Sequence, residues 1–234
     1  MTTRRFDFDP ADVDTDGIAD ALPTGTDWSF AATALWLLDA AGDGLAHRIG
    51  VTTVGNEPAG NSPSLTLTGT DADGNAITDV LVLPNGTLVE SVKYFKTVTS
   101  GSTGSDETVG TMDIGWVDEF VSETIFIDEQ FQSNWQIAVT GTLSIDSDWL
   151  LKDIRVGTQL LDQNAEPWID GAVTDLDAET ADSSAAIAVP EGYVAMRFRM
   201  NTYSSGAEFQ AYLSQRSPGP FSEFTRSRVI PGVD

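Results

Sequence analysis

Trp135 to Ile145, WQIAVTGTLSI, sets the class of fold. Its large apolar residues fall on odd positions, Trp135, Ile137, Val139, Leu143 and Ile145, with Gln136, Thr140, Thr142 and Ser144 between them. Successive side chains of a strand point to opposite faces, so a period of two marks a strand with one face buried and one face wet. The pattern returns at Met112, Ile114 and Trp116 against Thr111, Asp113 and Gly115, and at Val194, Met196, Phe198 and Met200 against Arg197, Arg199 and Asn201.

The turns are as informative as the strands. Tyr203-Ser204-Ser205-Gly206 separates the last alternating run from Phe209, Ala211 and Leu213, which predicts a hairpin. Ser64–Thr68 and Ile77–Leu83 flank an Asp-Gly turn and predict another. His47–Val54 and Leu88–Ser100 each read as one strand, and residues 55–63 as a loop. Phe30–Ala41 fits either a buried strand or a short helix ended by Gly42 and Gly44. Residues 162–190, acidic and alanine-rich, read as a long loop.

Ser/Thr-rich strands joined by Gly/Asp/Asn turns predict a mainly β protein with antiparallel β-sandwich or jelly-roll architecture. Two β modules in series are expected, 27–120 and 121–234, with the boundary between 118 and 133. They follow an extended acidic N-terminal arm over 1–26 that lies against a neighbouring subunit or is disordered in isolation.

The charge is the strongest compositional fact: 36 acidic against 12 basic residues, a net charge of −24. Lysine is reduced to Lys93, Lys96 and Lys152, and aspartate outnumbers glutamate. In dilute buffer such a surface repels itself, whereas at about 1 M salt the Debye length falls to roughly 3 Å and the repulsion is screened. The composition therefore suits a high-salt environment. Direct nucleic-acid binding is disfavoured because it needs clustered Lys/Arg, and only Arg197 and Arg199 form a small basic patch. Cysteine is absent, which excludes disulfides and thiolate chemistry. The N-terminus runs into acids instead of an apolar segment, and no stretch of about 20 apolar residues exists, so neither a secretory signal nor a membrane partner is expected.

Leu65 to Trp116 carries a TGTDADGN hairpin, the pair Pro84-Asn85, the strand KYFKTVTS (Lys93 to Ser100) and a closing strand at VGTMDIGW. This stretch resembles a β-rich module of structural proteins of tailed viruses. Tyr193 to Gln215, with MRFRMNTYSSGAEFQAYLSQ, is similar to the last hairpin of such proteins. The resemblance covers about a third of the chain and transfers no catalytic position. It implies a non-enzymatic virion protein, in the capsid or head-tail region, as capsid decoration, turret or head-tail component. Its expected partners are further copies of itself and virion proteins such as the major capsid protein or connector. The salt signature then implies a tailed archaeal virus of a halophilic host.

Candidate sites are few. Asp12, Asp14, Asp16 and Gly17 match the opening of a calcium loop, but its twelfth position, which needs a bidentate Glu, is Pro23. A full EF-hand is excluded, leaving a looser Ca2+ or Na+ site as the alternative to a chance match; no other cofactor is expected. Asp71, Asp73 and Asn75 are read as turn residues. His47, the lone histidine, is read as a surface or interface residue. No HExxH, P-loop, GxSxG or dinucleotide motif is present, and among 36 acids a pair of carboxylates carries no information. Trp149 and Trp168 sit in loop-like contexts and are the candidate interface residues together with Arg197 and Arg199. They are also the anchors of the rival reading, a module that binds host-surface glycan or a surface-layer protein.

Overall fold

The computed structural model describes residues 2–23, 29–31, 41–54, 64–83, 86–103, 110–127, 132–150, 168, 176–180, 184–188 and 195–216. Sixteen strands lie in these residues. The first six are β1 (Thr2–Phe8), β2 (Asp14–Pro23), β3 (Ser29–Ala31), β4 (Ala46–Val54), β5 (Ser64–Thr70) and β6 (Ala76–Val82). Then come β7 (Leu88–Phe95), β8 (Thr97–Ser102), β9 (Thr111–Val121), β10 (Ile125–Phe126) and β11 (Gln132–Thr140). The last five are β12 (Thr142–Leu150), β13 (Leu176–Thr180), β14 (Ser184–Ala188), β15 (Ala195–Tyr203) and β16 (Glu208–Arg216). They form three antiparallel sheets. An eight-stranded sheet runs β13-β12-β15-β9-β4-β7, with β10 on β15 and β2 on β9; two four-stranded sheets run β1-β16-β11-β14 and β3-β8-β5-β6.

Two apolar cores follow from the alternation. Leu65, Leu67, Ile77, Leu81 and Val98 of the β3-β8-β5-β6 sheet pack against Ile49, Val51, Phe95, Met112, Ile114 and Trp116 of the eight-stranded sheet. Trp135, Ile137, Val139, Phe209 and Leu213 pack against Leu143, Ile145, Trp149, Met196, Phe198 and Met200. Each fully buried side chain of this size contributes about 1.5–3 kcal/mol of transfer free energy. Phe8 stacks on Phe209 with ring centroids 4.2 Å apart, so the N-terminal lead contributes to the second core.

The class of fold is the one expected, but several connections differ. WQIAVTGTLSI is two strands in two sheets: β11 pairs with β16, β12 pairs with β15, and the chain turns at Gly141, whose φ is +82°. The 203–206 turn likewise joins β15 and β16 of different sheets, so it is an arch across the core and not a hairpin. The two arches are held together where Ser204 N–H donates to Thr142 O at 2.8 Å. Leu88–Ser100 is also two strands, because the chain leaves the eight-stranded sheet after Phe95 and joins β5 from Thr97 on. The Lys96 N–H between them donates to Thr70 O at 2.8 Å. The Ser64–Val82 hairpin is present as expected, with Gly74 at φ +84° in its turn.

The acidic lead is extended, but it is not a free arm: β1 pairs with β16 and β2 with β9 of the same chain. Two short strands, β13 and β14, fall within the segment expected to be a long loop and add to β12 and β11. Residues 32–40, 55–63 and the Pro84-Asn85 pair lie outside the described residues, so the strand-or-helix alternative over Phe30–Ala41 is answered only at Ser29–Ala31, a strand.

β2 crosses β9 at a point that has room only for glycine. A Cβ on Gly115 would stand 1.9 Å from Asp14 O and 2.4 Å from Thr15 C, both backbone atoms that side-chain rotation cannot relieve. We predict that Gly115→Ala destabilises the protein by about 3 kcal/mol, the upper range for overpacking, as measured by equilibrium denaturation. A loss below about 0.5 kcal/mol, the size of an ordinary surface substitution, would contradict the crossing.

Candidate functional site

β12 and β15 present their even-numbered and odd-numbered polar residues, respectively, on the face opposite the second core. Asp148 lies across from Arg197 and Asp146 across from Arg199 in register. Arg197 Nε donates to Asp148 Oδ2 at 2.9 Å, and Arg199 Nη2 to Asp146 Oδ2 at 3.1 Å. Arg199 Nε stands 3.5 Å from Asp148 Oδ1, and Asn201 Nδ2 also donates to Asp146. Directly opposed unlike charges are the favourable cross-strand arrangement.

The network continues along the sheet. Arg48 Nη1 donates to Glu119 Oε2 at 2.8 Å and lies 3.1 Å from Glu90. Burial pushes the Arg48 guanidinium down, but these two carboxylates outweigh it and raise its pKa. Tyr94 OH donates to Glu119 at 3.4 Å. Burial first, then the Glu119 charge, pushes the Tyr94 phenol up to about 12 against the pull of Arg199, Arg48 and Arg197, so it remains a donor.

These contacts change the reading of the candidate interface. Arg197 is 8% exposed and tied to Asp148, so it is not part of an available basic patch. Trp149 is in strand β12, fully buried in the second core, with Nε1 donating to Ser147 Oγ at 2.9 Å; a core tryptophan has no surface to offer a partner or glycan. Trp168 is half-buried, packs near Leu150 and Ala195, and lies over the Arg197 guanidinium, with Cζ 4.6 Å from the ring centroid. Thus Trp168 and Arg197 are brought together, Arg199 follows two residues along β15 on the same face, and Trp149 is turned to the other side. Asp146 and Asp148 were missed. The signal was the D-S-D spacing at 146–148, which matches R-F-R at 197–199 charge for charge.

The acidic lead does not converge on a common centre. Asp12 accepts from Ser205 Oγ at 2.8 Å and Gly206 N–H at 3.3 Å, while Asp14 accepts from Asp16 N–H at 3.3 Å. Its hydrogen bond with Asp14, aided by the charges of Asp14, Asp20 and Asp113, raises the Asp16 pKa. Among the described residues no group of three or more His, Asp or Glu side chains is arranged to hold a metal ion. Residues 11 and 12 are instead a fastening point. Trp116 Nε1 donates to Asp12 O at 2.9 Å, Tyr203 OH donates to Ala11 O, and Ala11 N–H donates to Asp43 Oδ2 at 2.8 Å.

Asp43 also accepts from Leu45 N–H at 2.9 Å and pairs with His47 Nε2 at 2.7 Å. His47 is fully buried against Phe120, with centroids 5.5 Å apart, so it is not the surface residue expected. Burial pushes Asp43 up, but His47 and the two backbone donors outweigh it and hold the carboxyl below its ordinary value. Asp71 closes its turn as expected, accepting from Asp73 N–H at 3.0 Å and Asn75 N–H at 2.8 Å. Asp73 reaches out to Thr124, taking N–H at 2.9 Å and Oγ1 at 2.6 Å.

No protein-family model and no curated protein matches this chain. Among solved structures it is similar to the exported protein XepA of PBSX, at 12% identity over 83% of this chain and 84% of that one, with a TM-score of 0.24. It is also similar to an archaeal virus protein of triple jelly roll fold and turret assembly, at 13% identity over 85% of this chain, which spans 54% of that chain, with a TM-score of 0.23. A third is the VP2 subviral particle of infectious bursal disease virus, at 11% identity, 94% and 73% coverage and a TM-score of 0.25. At TM-scores this low the likeness defines neither a shared fold nor a shared role.

Two predictions come from the paired groups. Taking one member out of a buried ion pair is costly, so Asp148→Ala should cost about 3–5 kcal/mol, whereas Asp148→Leu with Arg197→Met should recover most of it. A double-mutant cycle on Asp148→Leu and Arg197→Met by chemical denaturation reads the coupling, and a loss in the double variant equal to the sum of the two single losses would remove the pair as a stabilising unit. For Asp43, the folded carboxyl binds its proton less readily than the unfolded chain. Its contribution is complete above the ordinary value of 3.8 and fades as pH falls through the lower folded value. The melting temperature of Asp43→Asn should therefore lie below that of the unmodified protein at neutral pH, with the gap narrowing as pH falls below 3.8.

Proposed function

We propose that this chain is a non-enzymatic structural protein of a virion, a capsid decoration, turret or head-tail component that assembles by oligomerisation in strong salt. The observation that carries it is the use made of its polar side chains. Asp12, Asp43, Asp73, Asp146, Asp148, Arg48 and Arg197 each fasten one strand or turn to another. That is the economy of a scaffold. Two further supports are the resemblance of Leu65–Trp116 to the tailed-virus module and the net charge of −24.

The fold is suited to brine in a specific sense. Salt screens exposed ion pairs almost completely at molar concentration and buried pairs much less. The Arg197–Asp148 pair is buried and keeps its strength, while apolar burial in the two cores does not depend on charge. What dilution changes is the repulsion among the remaining carboxylates, which acts first between subunits. The partners in this reading are further copies and virion proteins such as the major capsid protein or connector, with archaeal-virus origin following from the salt signature.

Light scattering of the purified protein in about 3 M and about 0.1 M salt tests this, because the Debye length rises from below 3 Å to about 10 Å between them. A defined oligomer in brine that dissociates on dilution is the expected result. A monomer indifferent to salt would overturn it and favour the rival glycan-binding or surface-layer-binding module.

A further inference from the structure

We propose that the outer face of the β3-β8-β5-β6 sheet is the surface on which a second copy of this chain docks. This rests on the reading of the chain as an assembling protein and names the surface that does the assembling.

The register sets which side chains share that face. Thr66 lies opposite Val80 and Ser102, and Thr68 opposite Thr78 and Ser100, on the side away from Leu65, Leu67, Ile77 and Leu81 of the core. Val80 and Val82 are 57% and 59% exposed. Val92, on the neighbouring edge strand β7, is 80% exposed. One carboxylate joins the two edges: Asp79 accepts from Val80 N–H at 2.9 Å, Val92 N–H at 2.7 Å and Lys93 N–H at 3.0 Å. Val80 and Val82, side by side on one face of β6, are apolar side chains gathered together instead of scattered singly, the feature that contact surfaces share.

The charge identifies the occupant. The residues that β5 and β6 turn outward, at 64, 66, 68 and 70 and at 76, 78, 80 and 82, are Ser, Thr, Ala and Val without a single ionisable group. The chain as a whole carries −24. A cationic partner would be drawn to the acidic surfaces and would gain nothing from a neutral one. For a second copy, equally acidic, docking through a charged face would bury carboxylates of both copies at a desolvation cost that salt does not remove, and docking through this face buries none. Threonine hydroxyls donate and accept, and threonine and valine methyls pack on each other, so such a face is complementary to itself about a two-fold axis. Asp79 occupies amides through which another strand would add at this edge, which leaves the face as the surface of contact.

The test is multi-angle light scattering over a concentration series in about 3 M salt, where repulsion is screened. Val80→Asp places a carboxylate from each copy in one symmetric interface and should raise the dissociation constant at least about tenfold, leaving the melting temperature of the dissociated chain unchanged. Thr66→Asp, directly opposite on β5, repeats the test should Val80→Asp alter folding. Val13→Asp, at an exposed site on the lead, should associate like the unmodified protein. An oligomer that persists in both Val80→Asp and Thr66→Asp would overturn this face while leaving the assembly reading intact. An unmodified protein that is monomeric throughout would overturn both.

Discussion

β9 carries the heaviest constraint in the fold, since it must pair with three strands at once. One edge of Thr111–Val121 is filled by β4; the other is divided between β2, which pairs over 111–116, and β15, which pairs at Phe120 and Val121. Its apolar residues are divided in the same way: Met112, Ile114 and Trp116 enter the first core and Phe120 the second. Without β9 the eight-stranded sheet would separate into β13-β12-β15 with β10, β4-β7 and a lone β2, each with a freshly opened edge, and the chain would lose the continuity that makes its two cores one protein. The glycine at 115 and the Trp116 bond to Asp12 are consequences of the same crowding, since β2 can take its place only by passing close over the β9 backbone.

Polar groups then do what the apolar cores cannot. Hydrophobic burial sets how much surface is hidden, but it discriminates weakly between neighbouring registers of Thr- and Val-rich strands. An Asp opposite an Arg at two successive positions, Asp148 with Arg197 and Asp146 with Arg199, is satisfied in one register only. Ser91 plays a smaller version of the same part: its hydroxyl accepts from Ile49 N–H at 2.8 Å and donates to Lys93 O at 2.6 Å, where the β4–β7 ladder shifts register. These groups stabilise less by their net energy than by what is lost when one of them is left unpaired.

The strands were legible in the sequence because alternation survives any arrangement of sheets. Which strand pairs with which was not, and the reason is geometrical. In a hairpin and in an arch the turn reverses the chain, and both leave an apolar-polar-apolar pattern on either side, so Met196, Phe198, Met200 and then Phe209, Ala211, Leu213 fit both. The difference lies only in whether the two apolar rows share one sheet face or oppose each other across the core. Trp149 was misread for a related reason: Asp146, Ser147 and Asp148 interrupt the apolar run, and their compensation by Arg197 and Arg199 lies about fifty residues away in the sequence. His47 was misread because its partner Asp43 and its neighbour Phe120 become visible only once the strand is buried. The Asp71 turn, whose contacts are local, was read as it stands.

Charge is one way to guard the open edges of a sheet, and it is the one that salt weakens. Charged side chains ordinarily keep strand edges apart by repulsion, and that protection vanishes when the Debye length approaches about 3 Å. A hydrogen bond that already occupies the edge amides is not screened in this way. Asp79 supplies one at the meeting of β6 and β7, where its two oxygens hold three backbone N–H groups. At β1, the edge of the opposite sheet, Arg4 lies over Phe6 and Arg5 over Tyr212, covering the strand with side chains packed on rings instead of relying on charge alone. Occupancy of the amides and packing over the edge thus oppose indiscriminate strand addition in addition to charge, and neither depends on the salt concentration.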